Sequence, residues 1–107
     1  MTDIQFSDGD RETMRRAIEA WGDKQYGMAI EELAETIVAI NRFQRGRVPF
    51  LTVVQEFADA VVCVGQLLEA HKATSQLGFE VATAFGKLAY KLDQSSHNAS
   101  ETRESNG

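Results

Sequence analysis

Five acids stand out by type and spacing. Glu31, Glu32 and Glu35 form one group; after twenty intervening residues, Glu56 and Asp59 form another. Spacings of three and four place side chains one turn apart on one face of a helix. Two such faces turned toward each other would gather carboxylate oxygens into a cage, the ligand type that hard cations such as Mg²⁺ take. No lysine is interleaved among the first three acids, so their like charges have no partner within the motif. Glu56 and Asp59 carry the stronger argument. Their neighbours on a helical wheel are Ala60, Cys63 and Leu67, and an ionised carboxylate withdrawn from water costs on the order of several kcal/mol unless it is paired or metal-bound.

The ligand types narrow the choice of metal. Helical di-iron sites use Glu-x-x-His pairs, whereas neither His71 nor His97 lies three residues after a glutamate. Zinc prefers nitrogen and sulfur ligands, and none converge here. An all-oxygen set favours Mg²⁺, with Mn²⁺ as a possible substitute.

Helices must position these acids. The first is expected from about Asp8 to Ala20, with Ser7 or Asp8 as N-cap; Met14, Ile18 and Trp21 are its apolar positions, and Gly22 interrupts it. The second is expected from about Lys24 to Phe43. Ile30, Leu33, Ala34, Ile37, Val38 and Ile40 form its broad apolar face, with the glutamates opposite. Gly46 and Pro49 then punctuate a break. The third, from about Phe50 to His71, is apolar nearly all round, which predicts a buried helix. Its valines also permit a strand, but the run is too long for one and lacks a central turn. The fourth is expected from about Thr74 to Leu92, with Leu77, Val81, Phe85, Leu88 and Leu92 at helical spacing. The domain is thus expected to span residues 1–93, and the polar segment 94–107 to be a disordered tail.

Length and composition agree with a single helical domain. The chain has 107 residues, 43 % hydrophobic and 25 % charged. A domain this small leaves much of its surface exposed, so a homodimer is expected. The net charge of −5 argues against a nucleic-acid partner, which would need a basic footprint. The single cysteine, Cys63, permits no internal disulfide. No secretory signal is recognisable, and no unbroken apolar run reaches the roughly 18 residues of a membrane span. The expectation is a cytoplasmic protein without a membrane partner.

The motif Glu31-Glu32-x-x-Glu35, a gap, then Glu56-x-x-Asp59 resembles the signature of MazG-like nucleoside triphosphate pyrophosphohydrolases. Met28-Ala29-Ile30 before the first group, Trp21-Gly22 and the Arg42–Arg47 segment look like the short, single-domain branch, and the resemblance covers roughly residues 14–92. It implies an all-α fold, a four-to-five-helix bundle completed by dimerisation, acting as a dimer or a dimer of dimers. It implies Mg²⁺-dependent cleavage of (deoxy)nucleoside triphosphates to monophosphate and pyrophosphate, in the service of nucleotide-pool sanitation. By motif position, Glu32, Glu35, Glu56 and Asp59 would be the metal ligands. Glu31 would add a ligand or orient the attacking water, and with Glu35 would form the catalytic pair.

Other residues would support the substrate. Trp21, Gln25 and Met28 share a face with Glu32 if the second helix extends back past Gly22, which would place a nucleobase pocket near the metals. Trp21 would stack on the base and Gln25 read its edge. Lys87 or Lys91 would contact phosphates, as a lysine does near this point in the family, although the asparagine that often follows is absent. Arg42, Arg45 and Arg47 could reach a triphosphate. Two other readings fit the same residues: a base-selective dimeric dUTPase- or dCTPase-like enzyme, and a non-catalytic helical interaction module stabilised by metal.

Overall fold

The computed structural model describes the backbone of residues 6–106 and the side chains of residues 6–98. Among the described residues the chain is all-α: α1 (Asp8–Trp21), α2 (Lys24–Gln44), α3 (Phe50–Ala70) and α4 (Thr74–Asn106), with no strand. It divides into two compact units, one ending at Ala73 and the other beginning at Thr74.

Local chemistry sets the helix ends of the first unit. Ser7 caps α1 in a reciprocal box: its hydroxyl accepts from the Asp10 N–H at 3.0 Å, and its own N–H donates to the Asp10 carboxylate at 3.1 Å. Gly22 ends α1 at φ +50°, a conformation that side-chain-bearing residues rarely adopt. Its N–H donates to the Ile18 carbonyl at 2.9 Å. Gly46, at φ +72°, turns the chain between α2 and α3, and extended Pro49 precedes the first turn of α3. Phe43 and Phe50 meet edge-to-face across this turn with centroids 5.1 Å apart. At the other end of the α2–α3 pair, the Tyr26 hydroxyl and His71 Nε2 share a 2.7 Å hydrogen bond. His71 also ends α3, its backbone N–H donating to the Leu67 carbonyl at 3.1 Å.

The face that α2 turns inward is not its large apolar one. Gln25, Ala29, Thr36 and Ala39 are buried, whereas Ile30, Leu33, Ile37, Val38 and Ile40 are all exposed, Ile37 to 66 %. The buried partners on α3 are equally small or polar: Val53, Ala60, Gly65 and Gln66. Small residues let helix backbones approach closely, since interaxial distance follows side-chain size. Gly65 serves α1 in this way: a Cβ there would stand 2.9 Å from Met14 Cε and from Phe6 Cζ.

The expectation that α3 is a buried helix is corrected accordingly. Only one stripe of it is covered, while Phe50, Leu51, Val54, Phe57 and Val62 remain exposed. With a mean hydropathy of 1.5, α3 is long and apolar enough to cross a membrane by length and composition alone, as the core helix of a soluble protein also can be. Against that use, Glu56 and Asp59 sit mid-helix, where each ionised acid would cost about 2.5–3.5 kcal/mol in a bilayer.

The second unit is α4. Its expected apolar positions, Leu77, Val81, Phe85, Leu88 and Leu92, are all exposed. The helix does not stop at Leu92 but continues to Asn106. Apolar periodicity ends near Leu92, so hydrophobic spacing alone does not mark the rest of the helix. No proline or glycine interrupts the chain between Gly86 and Gly107, so nothing in the covalent chain terminates it earlier.

Candidate metal centre

The antiparallel pairing of α2 and α3 brings the two acidic groups together. One oxygen each from Glu32, Glu35 and Glu56 lies within 4.8 Å of the others. Glu32 and Glu35 are neighbours on α2, one turn apart; Glu56 approaches from α3. Glu32 and Glu56 are partly buried and Glu35 is exposed. Three ligands sharing one Mg²⁺ at about 2.1 Å can stand on average no more than about 3.6 Å apart, and three sharing one Ca²⁺ at about 2.3–2.6 Å no more than about 4.0–4.5 Å. The three oxygens, within 4.8 Å of one another, would come onto one ion by inward rotation of the side chains on the order of an ångström. Three carboxylates leave part of an octahedral shell for water or substrate oxygens, which is how Mg²⁺ is ordinarily held.

Electrostatics and hydrogen bonding single out the same group. The Glu32 carboxyl is pushed above the usual carboxylate range, first by its burial, then by the charges of Glu35 and Asp59, a hydrogen bond with Glu35, and the charge of Glu56. Glu56 is likewise raised, first by burial and then by a hydrogen bond with Glu35 and by the charges of Glu35 and Asp59. Glu32 Oε2 is buried without a hydrogen-bond partner. Its backbone carbonyl is satisfied locally by the Thr36 hydroxyl at 2.9 Å. A carboxylate oxygen removed from water, lacking a donor and surrounded by like charge is a destabilised arrangement that a cation would relieve.

Asp59 lies outside the group of three but within range of its field. Cys63, partly buried one turn further along α3, feels the same acids: burial first, then Glu32 and Asp59, push its thiol up. Glu31 does not join the three oxygens. It lines an adjoining cleft of about 490 Å³ with Glu35, Val38, Arg42, Thr52 and Glu56.

The residues expected to hold a nucleobase are arranged differently from the sequence reading. Trp21 ends α1 and Gln25 lies in α2, with Gly22 and Asp23 between. Gln25, Met28 and Glu32 follow at steps of three and four on α2, but Trp21 stands on α1 and does not extend that face. Trp21, 46 % exposed, borders an open groove on α1 with Thr13, Arg16, Ala17, Glu19 and Ala20, and shares no lining residue with the acidic cleft. Gln25 is 3 % exposed; its amide N–H donates to the Gly22 carbonyl at 3.2 Å, and its Oε1 has no partner. Lys87 and Lys91 stand one turn apart on α4, both exposed. The cleft adds Thr52, which the sequence reading did not single out. Its position one turn before Glu56 on α3 was the available signal.

No protein-family model, no curated protein and no solved structure matches this chain.

Proposed function

We propose that the chain is a Mg²⁺-dependent hydrolase of (deoxy)nucleoside triphosphates that yields the monophosphate and pyrophosphate. The observation that carries this reading is the convergence of Glu32, Glu35 and Glu56 oxygens within 4.8 Å across two helices, in a motif that resembles MazG-like enzymes. The partnerless buried oxygen of Glu32 supports it. In this reading Glu32, Glu35 and Glu56 hold the metal and Asp59 completes the shell or deepens its field. A bound Mg²⁺ would offset the acids' mutual repulsion, polarise phosphate oxygens and lower the pKa of a coordinated water. Glu31, beside Glu35 in the cleft, would orient the attacking water and take its proton. A triphosphate could not approach this acidic surface without a cation.

The same proposal includes a homo-oligomer, a dimer or a dimer of dimers. Exposed Ile30, Ile37, Ile40, Phe50, Leu51 and Phe57 give unit 1 far more exposed apolar surface than scattered surface residues would, and a second copy would cover it. One observation favours a non-catalytic, metal-stabilised module: Asp59 stands outside the oxygen group. That module would show Mg²⁺-dependent thermal stability without turnover. The test is Glu35→Gln. It should abolish pyrophosphate release while leaving the far-UV circular dichroism spectrum intact. Full activity in that variant would refute the site.

A further inference from the structure

Seven residues past Glu35, Arg42 lines the same cleft as Glu31, Glu35 and Glu56. Of the six α2 residues that line the cleft, Glu31, Glu35, Val38 and Arg42 follow at steps of four, three and four along one stripe, with Ala34 and Ala39 beside it. Thr52 and Glu56, one turn apart on α3, line it with them. The cleft is therefore polarised along its length. Carboxylates occupy one end; a guanidinium and a hydroxyl occupy the end nearer the α2–α3 turn. At 1.5 Å per residue, Arg42 stands about 10 Å along α2 from Glu35.

An arginine in a cleft with three glutamates would ordinarily pair with one. Arg42 does not: among the described residues the one ion pair is Arg15–Glu12. Arg42 lines the cleft with no carboxylate engaged. Arg45 and Arg47, in the turn beyond, do not line the cleft.

We propose that Arg42, assisted by Thr52, receives the outer phosphates of a bound nucleoside triphosphate. The phosphate chain runs along the cleft from the acid end toward Arg42, and the nucleoside leaves the acid end in the opposite direction. The inference rests on the nucleotide reading above and deepens it. A guanidinium presents a fork of donors that matches paired phosphate oxygens, and a threonine hydroxyl supplies one more donor. Separating the anion-receiving group from the metal-holding acids by two helical turns lets one cleft hold both a cation and a polyphosphate. It also makes the cleft select for the number of phosphates, because a monophosphate at the acid end would not reach Arg42.

The test uses the full chain with two probes, Mn²⁺ alone and inorganic triphosphate in the presence of Mn²⁺, both followed by calorimetry. Losing a charged hydrogen bond to phosphate should weaken triphosphate binding in Arg42→Ala by about ten- to a hundredfold. Mn²⁺ affinity should hold or tighten, since a neighbouring cation has been removed. Arg42→Lys should fall between Arg42→Ala and the unsubstituted chain, and Arg45→Ala and Arg47→Ala should stay within about twofold of it. Equal triphosphate binding by Arg42→Ala and the unsubstituted chain overturns the assignment. So does an equal loss in Arg45→Ala or Arg47→Ala, which would reduce the effect to general charge. Absence of Mn²⁺ binding to the unsubstituted chain overturns the underlying metal reading itself, so the two failures are distinguishable.

Discussion

Ala60 is the most direct structural handle on the site. It is 1 % exposed and lies on the α3 stripe Val53, Glu56, Ala60, Cys63, whose members at 56 and 63 both feel acids of α2. Replacing its methyl with the leucine side chain must be accommodated where helices meet. Overpacking of this kind costs about 1–3 kcal/mol, and a domain of this size loses about 4–8 °C of Tm per kcal/mol. The relief available is separation of the helices, within the roughly 2 Å range that interaxial distances span. The acid oxygens start within 4.8 Å of one another and must close to about 3.6 Å on average for all three to share one Mg²⁺. Even 1 Å of separation would take Glu56 out of reach. Ala60→Leu should therefore lose most Mn²⁺ affinity, at least about tenfold, although no charge has changed. Ala60→Gly is the control: it costs about 1 kcal/mol in helix propensity with no added volume, so it should lower Tm yet keep Mn²⁺ affinity. Both variants would be measured by thermal circular dichroism and Mn²⁺ titration. A folded Ala60→Leu protein with Mn²⁺ affinity equal to that of Ala60→Gly would refute the claim that close α2–α3 packing builds the site.

Other outcomes follow from the same geometry. Glu32→Gln removes one charge from the group, so the metal-free protein should melt higher than the unsubstituted chain while its Mg²⁺-induced rise in Tm disappears; a retained rise would exclude Glu32 as a ligand. The folded-state pKa values of Glu32 and Glu56 lie above their ordinary values, so the folded protein binds more protons than the unfolded one just above the ordinary carboxylate range. Stability without metal is then fullest below that range and falls as pH rises through the raised values. A chelator-treated sample should melt lower at pH 7 than at pH 5, and saturating Mg²⁺ should shrink that difference; a melting temperature that rises with pH would contradict the shifts. Ser7→Ala removes half of the α1 capping box and should cost about 0.5–2 kcal/mol by urea unfolding, with metal affinity unchanged.

Much of this arrangement is legible in the residues. The ends of α1, α2 and α3 follow from Ser7, Gly22, Gly46 and Pro49, and the meeting of Glu32 and Glu35 with Glu56 follows from their spacing on two helices joined by a short turn. The inward face of α2 was harder to see. Hydrophobic periodicity marks Ile30, Leu33, Ile37 and Ile40, but it does not say whether an apolar face meets its own chain or another surface. The stripe that packs internally, Ala29, Thr36 and Ala39, is marked by small size, a weaker signal than hydrophobicity. Gly22 is legible as the break between the first two helices, and its φ of +50° turns the chain between Trp21 and Gln25. Arg42 falls within the helix expected from Lys24 to Phe43, but its place in the acidic cleft depends on how α2 packs against α3, which the sequence alone does not state.

Product analysis tests the central claim most directly. The protein would be incubated with each common NTP and dNTP, with Mg²⁺ or with chelator, and the products resolved by ion-exchange chromatography. Monophosphate and pyrophosphate, formed only with metal, are the predicted result. Diphosphate and phosphate, or turnover undiminished by chelator, would contradict it.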